Sequence, residues 1–222
     1  MNTLLTRNKT CSDVAVQKLR SDITHGALVP GTLLAEAAVA RQLGVSRVPV
    51  REALFTLERE GLVEFSSTGR AYVKELQPHD FEELFRLRLA LEPVAARLAA
   101  PWLQRDTLDL EKNIQATAQA RSLQDVTRLD LDFHQLILEA SGQTRLVRFW
   151  KSLRSELELW LARLQRAHHL KSKSTRELTV KSHSRLVESF QNQSPAAAER
   201  LSREHLQGWR DWLPAHENTR DE

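Results

Sequence analysis

Four side chains that suit a metal ion lie in the C-terminal part of the sequence: Asp130, His134, His183 and His205. Asp130 and His134 are four residues apart, so on a helix their heads lie on one side, about 40° apart. Apolar residues of the same segment project in nearly the same direction, which indicates that this side faces the interior. A buried carboxylate and imidazole must be paired, hydrogen-bonded or coordinated.

The other two histidines flank a predicted turn near Gln193, which His183 precedes by 10 residues and His205 follows by 12. In an antiparallel helix pair both lie roughly 15 to 18 Å from the turn, so their side chains can converge. Three imidazoles and one carboxylate suit a divalent transition metal such as zinc, nickel or manganese. From spacing alone, surface or hydrogen-bonded histidines remain an alternative. The pair His168 and His169, in a charged stretch, is predicted to lie at a solvated helix end.

Arginines form a second candidate site near the N-terminus. Arg47 and Arg51 are four residues apart and project from one face of a predicted helix. In a helix that enters the major groove of DNA, such arginines reach base edges and phosphates, and they can donate two hydrogen bonds to guanine. Arg70, at the tip of a predicted hairpin, is placed to touch the DNA backbone or the minor groove. Solvated surface charge is the alternative for any arginine pair alone, but the surrounding elements favour DNA contact.

The elements around these arginines predict a winged helix over residues 1–76. Five of the seven glycines lie in the first 69 residues, so turns are dense early in the chain. Ser12 is expected to cap a helix that ends at Gly26, and helices follow at about 35–43 and 46–60. The runs LVEF and AYVKEL around the turn SSTGR then predict a hairpin.

Residues 77–222 show helical periodicity almost throughout and predict an all-α bundle. Six helices are expected, at about 79–100, 105–121, 123–140, 144–168, 174–191 and 195–213, and Ser194 with Pro195 forms a good start for the last. One seam has spacings of 4, 3, 4, 3 and 4: Leu146, Trp150, Leu153, Leu157, Trp160 and Leu164. It fits either the bundle core or dimer packing. Trp209 and Trp212 are expected to be packing residues.

Composition excludes several classes of protein. The 222 residues are 41% hydrophobic, with 7 glycines and the single cysteine Cys11, which argues against collagenous, disordered and disulfide-rich chains. No uncharged apolar run approaches the ~18 to 20 residues of a membrane helix, and the N-terminus lacks a signal peptide, so we expect a cytoplasmic protein without a membrane partner. Residues 1–76 carry 10 basic and 8 acidic side chains, a balance of +2. Because this net charge is small, we expect DNA recognition to depend on a few arginines at particular positions.

The stretch GALVPGTLLAEAAVARQLGVSRVPVREALFTLEREGLVEFSSTGRAYV resembles the DNA-binding domain of GntR-type bacterial transcription regulators. The resemblance implies that Arg47, Arg51 and Ser46 contact DNA, and that the wing residues Thr68, Gly69 and Arg70 follow the adjacent groove. The family often has an arginine where this chain has Ala37, so one expected DNA contact is missing.

Three later stretches resemble the effector-binding domain, of the FCD type, in the FadR branch of that family: LRLALEPVAARLAA, LDLDFHQLILEASGQTRL and KSHSRLVESFQNQSPAAAERLSREHL. The resemblance implies that Asp130, His134, His183 and His205 are metal ligands, with zinc the first expectation. It also implies that Arg88 can face the effector pocket. Gln143 and Ser182 differ from the residues that the family usually has at these positions. Differences around the ligands affect which metal is preferred.

Together these observations predict a mainly helical transcription regulator that is not an enzyme. As a homodimer, it is expected to bind a near-palindromic operator in double-stranded DNA, most often as a repressor in this family. The expected effector is a small carboxylate that binds the metal, with Arg88 pairing a second anionic group. The alternatives are a structural metal with an acyl-CoA-like effector, a metal-dependent hydrolase or oxygenase, and a nucleoid-type binder without an effector.

Overall fold

A computed structural model describes residues 10–210, which form nine helices and one two-stranded sheet. The chain divides into two compact units, Met1–Glu75 and Leu76–Glu222. Within the described residues, no helix is both long enough and apolar enough to cross a membrane.

The first unit is a winged helix-turn-helix. Its elements are α1 (Cys11–Thr24), α2 (Glu36–Leu43), α3 (Arg47–Arg59), β1 (Val63–Phe65) and β2 (Ala71–Val73). The strands pair antiparallel with Glu64 opposite Tyr72. Ala15 on α1 and Val50, Leu54 and Leu57 on α3 are fully buried, so the packing of α1 against α3 leaves the opposite face of α3 exposed.

The start of α1 differs from the sequence-based prediction. Thr10, and not Ser12, is the N-cap, because Thr10 and Asp13 form a reciprocal capping box. The Asp13 amide donates to Thr10 Oγ1 at 3.1 Å, and the Thr10 amide donates to Asp13 Oδ2 at 3.0 Å. Ser12 has Ala15 three residues later, which cannot close such a box.

The second unit contains the six expected helices. They are α4 (Pro78–Leu103), α5 (Leu108–Ala118), α6 (Leu123–Ala140), α7 (Thr144–Ser172), α8 (Thr175–Asn192) and α9 (Pro195–Arg210). Ser194 accepts a hydrogen bond from the Ala197 amide at 3.3 Å, as expected for the cap of α9. The prediction of a mainly α fold with an N-terminal winged helix is confirmed.

Two helix ends lie beyond their predicted positions. α4 continues through Pro101, which lies in its last turn and removes only one backbone hydrogen bond, the one to the Arg97 carbonyl. α7 continues to Ser172, so the prediction of a solvated end at His168 was wrong. The His168 side chain is buried, with Nδ1 2.7 Å from Thr175 Oγ1, and its ring lies edge-on to Trp209.

The regular seam on α7 packs into the core of its own bundle. Four of its members are buried in one apolar cluster with α4, α6 and α9: Trp150, Leu157, Trp160 and Leu164. Leu146 and Leu153 are partly buried and pack against that cluster. Trp209 also belongs to this core, whereas Trp212 lies outside the described residues.

Candidate functional site

Three histidines from three helices converge in the bundle. His134 lies on α6, His183 on α8 and His205 on α9, and one ligand atom from each lies within 4.8 Å of the others. The Nε2 atoms of His134 and His205 are 3.2 Å apart. His134 and His183 are buried and His205 is half-buried, so the cluster is set inside the bundle with one member near its surface.

Asp130 lies one turn before His134 on α6 and faces the same cluster. Its Oδ1 is 3.6 Å from His134 Nε2, and its Oδ2 is 3.9 Å from His183 Nε2. Burial raises the pKa of Asp130, and the positive charge on Arg88 opposes that rise. The structure therefore brings together all four residues that the sequence singled out.

Several of the imidazole nitrogens are buried without a partner. Among the described residues, both ring nitrogens of His183 and Nδ1 of His205 have no hydrogen-bond partner. Burial lowers the pKa of both side chains far below the ordinary value, and the neighbouring His134 and Arg88 lower it further. Neutral imidazole is the form that binds metals. Unsatisfied nitrogens beside a carboxylate are the donor set that a divalent transition metal requires.

The plane of the His183 ring is fixed by an aromatic neighbour. The Phe133 ring stacks on it with centroids 3.8 Å apart and an interplanar angle of 7°. Phe133 is fully buried and precedes His134 on α6. One turn of α6 thus supplies both a candidate ligand and the surface that orients a second one.

Glu92 on α4 orients His134, and the sequence analysis did not anticipate this role. Glu92 is 2% exposed, and its Oε2 lies 2.8 Å from His134 Nδ1. Trp150 Nε1 donates to Glu92 Oε1 at 3.0 Å. With Nδ1 directed at a carboxylate, His134 presents Nε2 to the cluster, which is the arrangement that metal-binding histidines usually adopt. The available signal was a glutamate four residues after Arg88, on the side of α4 that carries the buried apolar residues.

Arg88 lies one turn before Glu92 on α4 and forms an ion pair with it. Arg88 Nε donates to Glu92 Oε1 at 2.6 Å, and Nη2 donates to Oε2 at 3.1 Å. Its guanidinium lies 5.5 Å from the centre of the Trp160 ring. Burial alone would raise the pKa of Glu92, but Arg88 and His134 together lower it well below its usual value. Arg88 is therefore linked to the cluster through Glu92, with two of its donors already used, and its role toward an effector stays a prediction.

A residue outside the histidine cluster also hydrogen-bonds to the Asp130 carboxylate. Gln165 on α7 donates from Nε2 to Asp130 Oδ2 at 3.2 Å. Thr127 Oγ1 donates to Gln165 Oε1 at 2.9 Å, which fixes the orientation of that amide. Gln165 and Thr127 are buried, so α6 and α7 jointly set the direction of the Asp130 carboxylate.

The predicted DNA-contacting residues of α3 lie on its exposed face. Ser46 immediately precedes α3 and is exposed, and the side chains of Arg47 and Arg51 are 69% and 65% exposed. Both arginines point toward Glu36 at the start of α2. Arg47 Nη2 donates to Glu36 Oε2 at 3.1 Å, and Arg51 Nε is 3.8 Å from Oε1. Glu36 was not singled out from the sequence.

The predicted wing residues form the connection between β1 and β2. Thr68, Gly69 and Arg70 are all exposed, and Gly69 adopts a φ of +73°, which favours glycine. Its amide donates to the Ser66 carbonyl at 2.8 Å. A cavity of about 350 Å³ lies between α2, α3 and this turn, and Ala37, Arg47 and Arg70 are among its lining residues. The structure thus brings the recognition helix and the wing to one surface.

Comparison with known proteins matches both units to one type of regulator. Residues 12–73 match the family described as bacterial regulatory proteins, gntR family, and residues 83–208, more than half of the chain, match the FCD domain. The Escherichia coli HTH-type transcriptional repressor RspR is 28% identical over 193 residues, which are 85% of this chain and 82% of that protein.

Two further comparisons have either a shorter matched length or a lower sequence identity than this one. The gluconate operon transcriptional repressor of Bacillus subtilis is 30% identical over 148 residues, 65% of this chain and 60% of that protein. A putative GntR transcriptional regulator of Rhodococcus sp. RHA1 has a crystal structure that superposes with a TM-score of 0.72 at 19% identity. That match covers 92% of this chain and 98% of the other, and it shows a shared fold.

Proposed function

The chain belongs to the GntR family of bacterial regulatory proteins and carries an FCD domain, and from that premise we propose that it represses transcription under the control of a metal-bound carboxylate. In this proposal it acts in the cytoplasm as a homodimer of the FadR branch. The observation that carries the proposal is the convergence of three imidazoles from three helices beside Asp130, with ring nitrogens of His183 and His205 buried and unpartnered.

Residues 1–76 constitute the DNA-binding domain. Ser46, Arg47 and Arg51 contact base edges and phosphates in the major groove, and Thr68, Gly69 and Arg70 follow the adjacent backbone or minor groove. The support for this assignment is the exposure of all six residues. A two-fold dimer presents two α3 helices to half-sites of a near-palindromic operator about one helical turn apart.

Residues 77–222 constitute the effector-binding and dimerisation domain. Asp130, His134, His183 and His205 hold the ion, with zinc the first choice and nickel or manganese as alternatives. Four protein ligands fill a tetrahedral zinc site, so a carboxylate binds zinc only as an added fifth ligand, whereas six-coordinate nickel or manganese keeps two positions open for it. Glu92 and Gln165 keep His134 and Asp130 in the orientation that binding requires.

The effector class follows from the charges beside the cluster. Arg88 is a buried cation whose charge acts on the imidazoles, and a guanidinium binds a carboxylate through two parallel hydrogen bonds. Because Arg88 donates to Glu92, a second anionic group on the effector competes with Glu92 for the guanidinium. A relative is named for a gluconate operon, and gluconate is a small hydroxy acid of this class.

The Arg88–Glu92 pair also favours a second candidate function. If that pair persists when the effector binds, Arg88 recognises no anionic group and the ion has a purely structural role. The effector is then a different molecule, such as an acyl-CoA. DNA binding is the same in both candidates.

The discriminating experiment is an operator-release titration. The protein is bound to labelled DNA from the region upstream of its own gene, and release by small carboxylates, gluconate included, is followed by fluorescence anisotropy. Protein loaded with zinc is expected to release DNA, whereas chelated protein that retains its helical circular dichroism is not. Equal release by chelated and loaded protein would establish that coordination is not how the effector is sensed.

A further inference from the structure

A cavity between α8 and α9 shares one residue, His205, with the histidine cluster. This α8–α9 cavity has a volume of about 230 Å³, and four apolar side chains form its wall: Leu178, Leu186, Leu201 and Trp209. A cavity of about 150 Å³ is enough to hold benzene. The α8–α9 cavity therefore has room for a small organic molecule with an apolar part.

Two small residues keep the α8–α9 cavity open, Ser182 on α8 and Gly208 on α9. A Cβ placed at Gly208 would meet no other atom within 4 Å, so no packing contact requires a glycine there. Its φ is not positive either, and alanine favours a helix more than glycine does. The space beside Gly208 thus lets a ligand approach the backbone of α9 closely.

Arg185 on α8 supplies a positive charge to the α8–α9 cavity. It is exposed, and within residues 10–210 its guanidinium takes part in no hydrogen bond or ion pair. Arg88, in contrast, already donates twice to Glu92. The acidic lining residue, Glu204, lies near a different cation, with Arg200 Nε 3.9 Å from its Oε1. A guanidinium with free donors beside an apolar wall suits a carboxylate that carries a short hydrocarbon chain.

His205 lacks the support that Glu92 gives to His134. The Nδ1 of His134 is 2.8 Å from Glu92 Oε2. The Nε2 of His205 lies in the cluster, 3.2 Å from His134 Nε2, and its Nδ1 is buried with no hydrogen-bond partner among the described residues. When Nε2 of a neutral imidazole binds an ion, Nδ1 carries the proton and needs an acceptor. The described part of the chain provides none for His205.

We propose that the α8–α9 cavity binds a small monocarboxylate with a short apolar chain, whose carboxylate lies between Arg185 and Nδ1 of His205. The chain of this acid packs against the apolar wall, and its carboxylate does for His205 what Glu92 does for His134. The site lies outside the four proposed metal ligands and so goes beyond the proposed function. Only its effect on the ion rests on that function: because His205 contacts both, acid and ion each raise the affinity of the other by the same factor.

Hexanoate is the probe for the cavity, in isothermal titration calorimetry on the chelated full-length chain. We expect saturable binding at millimolar concentration or below. 1-Hexanol keeps the chain but lacks the charge, and it is expected to bind at least about tenfold more weakly. Arg185→Gln is expected to weaken hexanoate binding at least about tenfold, and Gly208→Leu, which fills the cavity, is expected to abolish it.

Lys181→Gln is the matched control, because Lys181 is exposed one turn before Arg185 and does not line the cavity. It is expected to bind hexanoate like the wild type, and circular dichroism checks that the chelated protein and every variant are folded. The absence of saturable hexanoate binding overturns the proposal. Equal hexanoate affinities of Arg185→Gln and Lys181→Gln overturn it as well.

Zinc affinity, measured by competition with a chromophoric chelator, tests the link through His205. Saturating hexanoate is expected to raise the zinc affinity of the wild type and of Lys181→Gln about tenfold or more, and to leave that of Arg185→Gln unchanged. A zinc affinity that does not respond to hexanoate would overturn the link. Hexanoate binding as expected by a chain that binds no zinc would reject the proposed metal centre, and the link with it, and would still support the cavity.

Discussion

The ion pairs at the two candidate sites lie in different environments. Those of the winged-helix unit are largely exposed, and that of the helical bundle is buried. On α3, Arg47 and Arg51 reach into solvent and share the exposed face with Glu36. In the bundle, Arg88 and Glu92 are 2% exposed and hydrogen-bond to each other, and Glu92 also accepts a hydrogen bond from Trp150. The first arrangement leaves charges available to a partner from outside, whereas the second fixes them around an internal cluster.

The difference shows how the same residue types serve two purposes. A surface pair contributes only about 0 to 1 kcal/mol to folding, so α3 can carry exposed arginines with little effect on stability. A buried pair has already lost its solvation, so removing one member leaves an unpaired internal charge. The two regions should therefore respond very differently to equivalent substitutions.

The largest effect is expected from Glu92→Ala. It leaves the Arg88 guanidinium buried without its carboxylate and should lower the free energy of unfolding by about 3 to 5 kcal/mol. Urea unfolding followed by circular dichroism measures the change. A loss below about 1 kcal/mol would mean that the interior accommodates the charge, and the contrast between the two regions would fail.

A loss of metal is expected from His134→Ala. The substitution removes one ligand nitrogen from the cluster and should reduce bound metal to well under one ion per chain, as measured by inductively coupled plasma mass spectrometry. His169→Ala is the control, since His169 is not in the cluster. Full occupancy in the His134 variant would remove this residue from the ligand set.

On the exposed face, Arg47→Ala should act on DNA binding and hardly on folding. If Arg47 contacts a base, specific operator affinity falls by about 1 to 3 kcal/mol. Anisotropy titrations at fixed salt with operator and unrelated DNA separate specific from general binding. Unchanged operator affinity would mean that Arg47 does not contact a base.

The smallest effect is expected from Glu36→Gln, the counterpart of Glu92 in the winged-helix unit, whose side chain is 26% exposed. Because Glu36 pairs with largely solvated arginines, the free energy of unfolding should change by less than about 1 kcal/mol. The same urea experiment serves for both glutamates. If the Glu36 variant lost as much stability as the Glu92 variant, exposure would not be what distinguishes the two pairs.

Sequence reasoning located the elements and the cluster because both depend on periodicity. The 4-residue step from Asp130 to His134, and the near-equal distances of His183 and His205 from one turn, follow directly from helix geometry. Glu92 and Gln165 were missed because their partners lie on other helices, 42 and 35 residues away. No spacing within one helix reveals such contacts.

Other local features were missed for different reasons. The Thr10–Asp13 capping box, which makes Thr10 the cap in place of Ser12, is a three-residue spacing that is visible in the sequence. His168 was assigned to solvent from its charged neighbours, yet it packs against Thr175 and Trp209. Glu36 was overlooked because the turn between α2 and α3 must close before it meets Arg47.

The central claim is that the buried imidazoles hold a metal ion. Its most direct test is a crystal structure of protein purified without added metal or chelator, with anomalous diffraction recorded at the zinc, nickel and manganese edges. We expect one anomalous peak per chain, in contact with Asp130, His134, His183 and His205, and a carboxylate beside it. A structure in which these four side chains are fully ordered and no anomalous peak lies among them would show that they hold no metal ion.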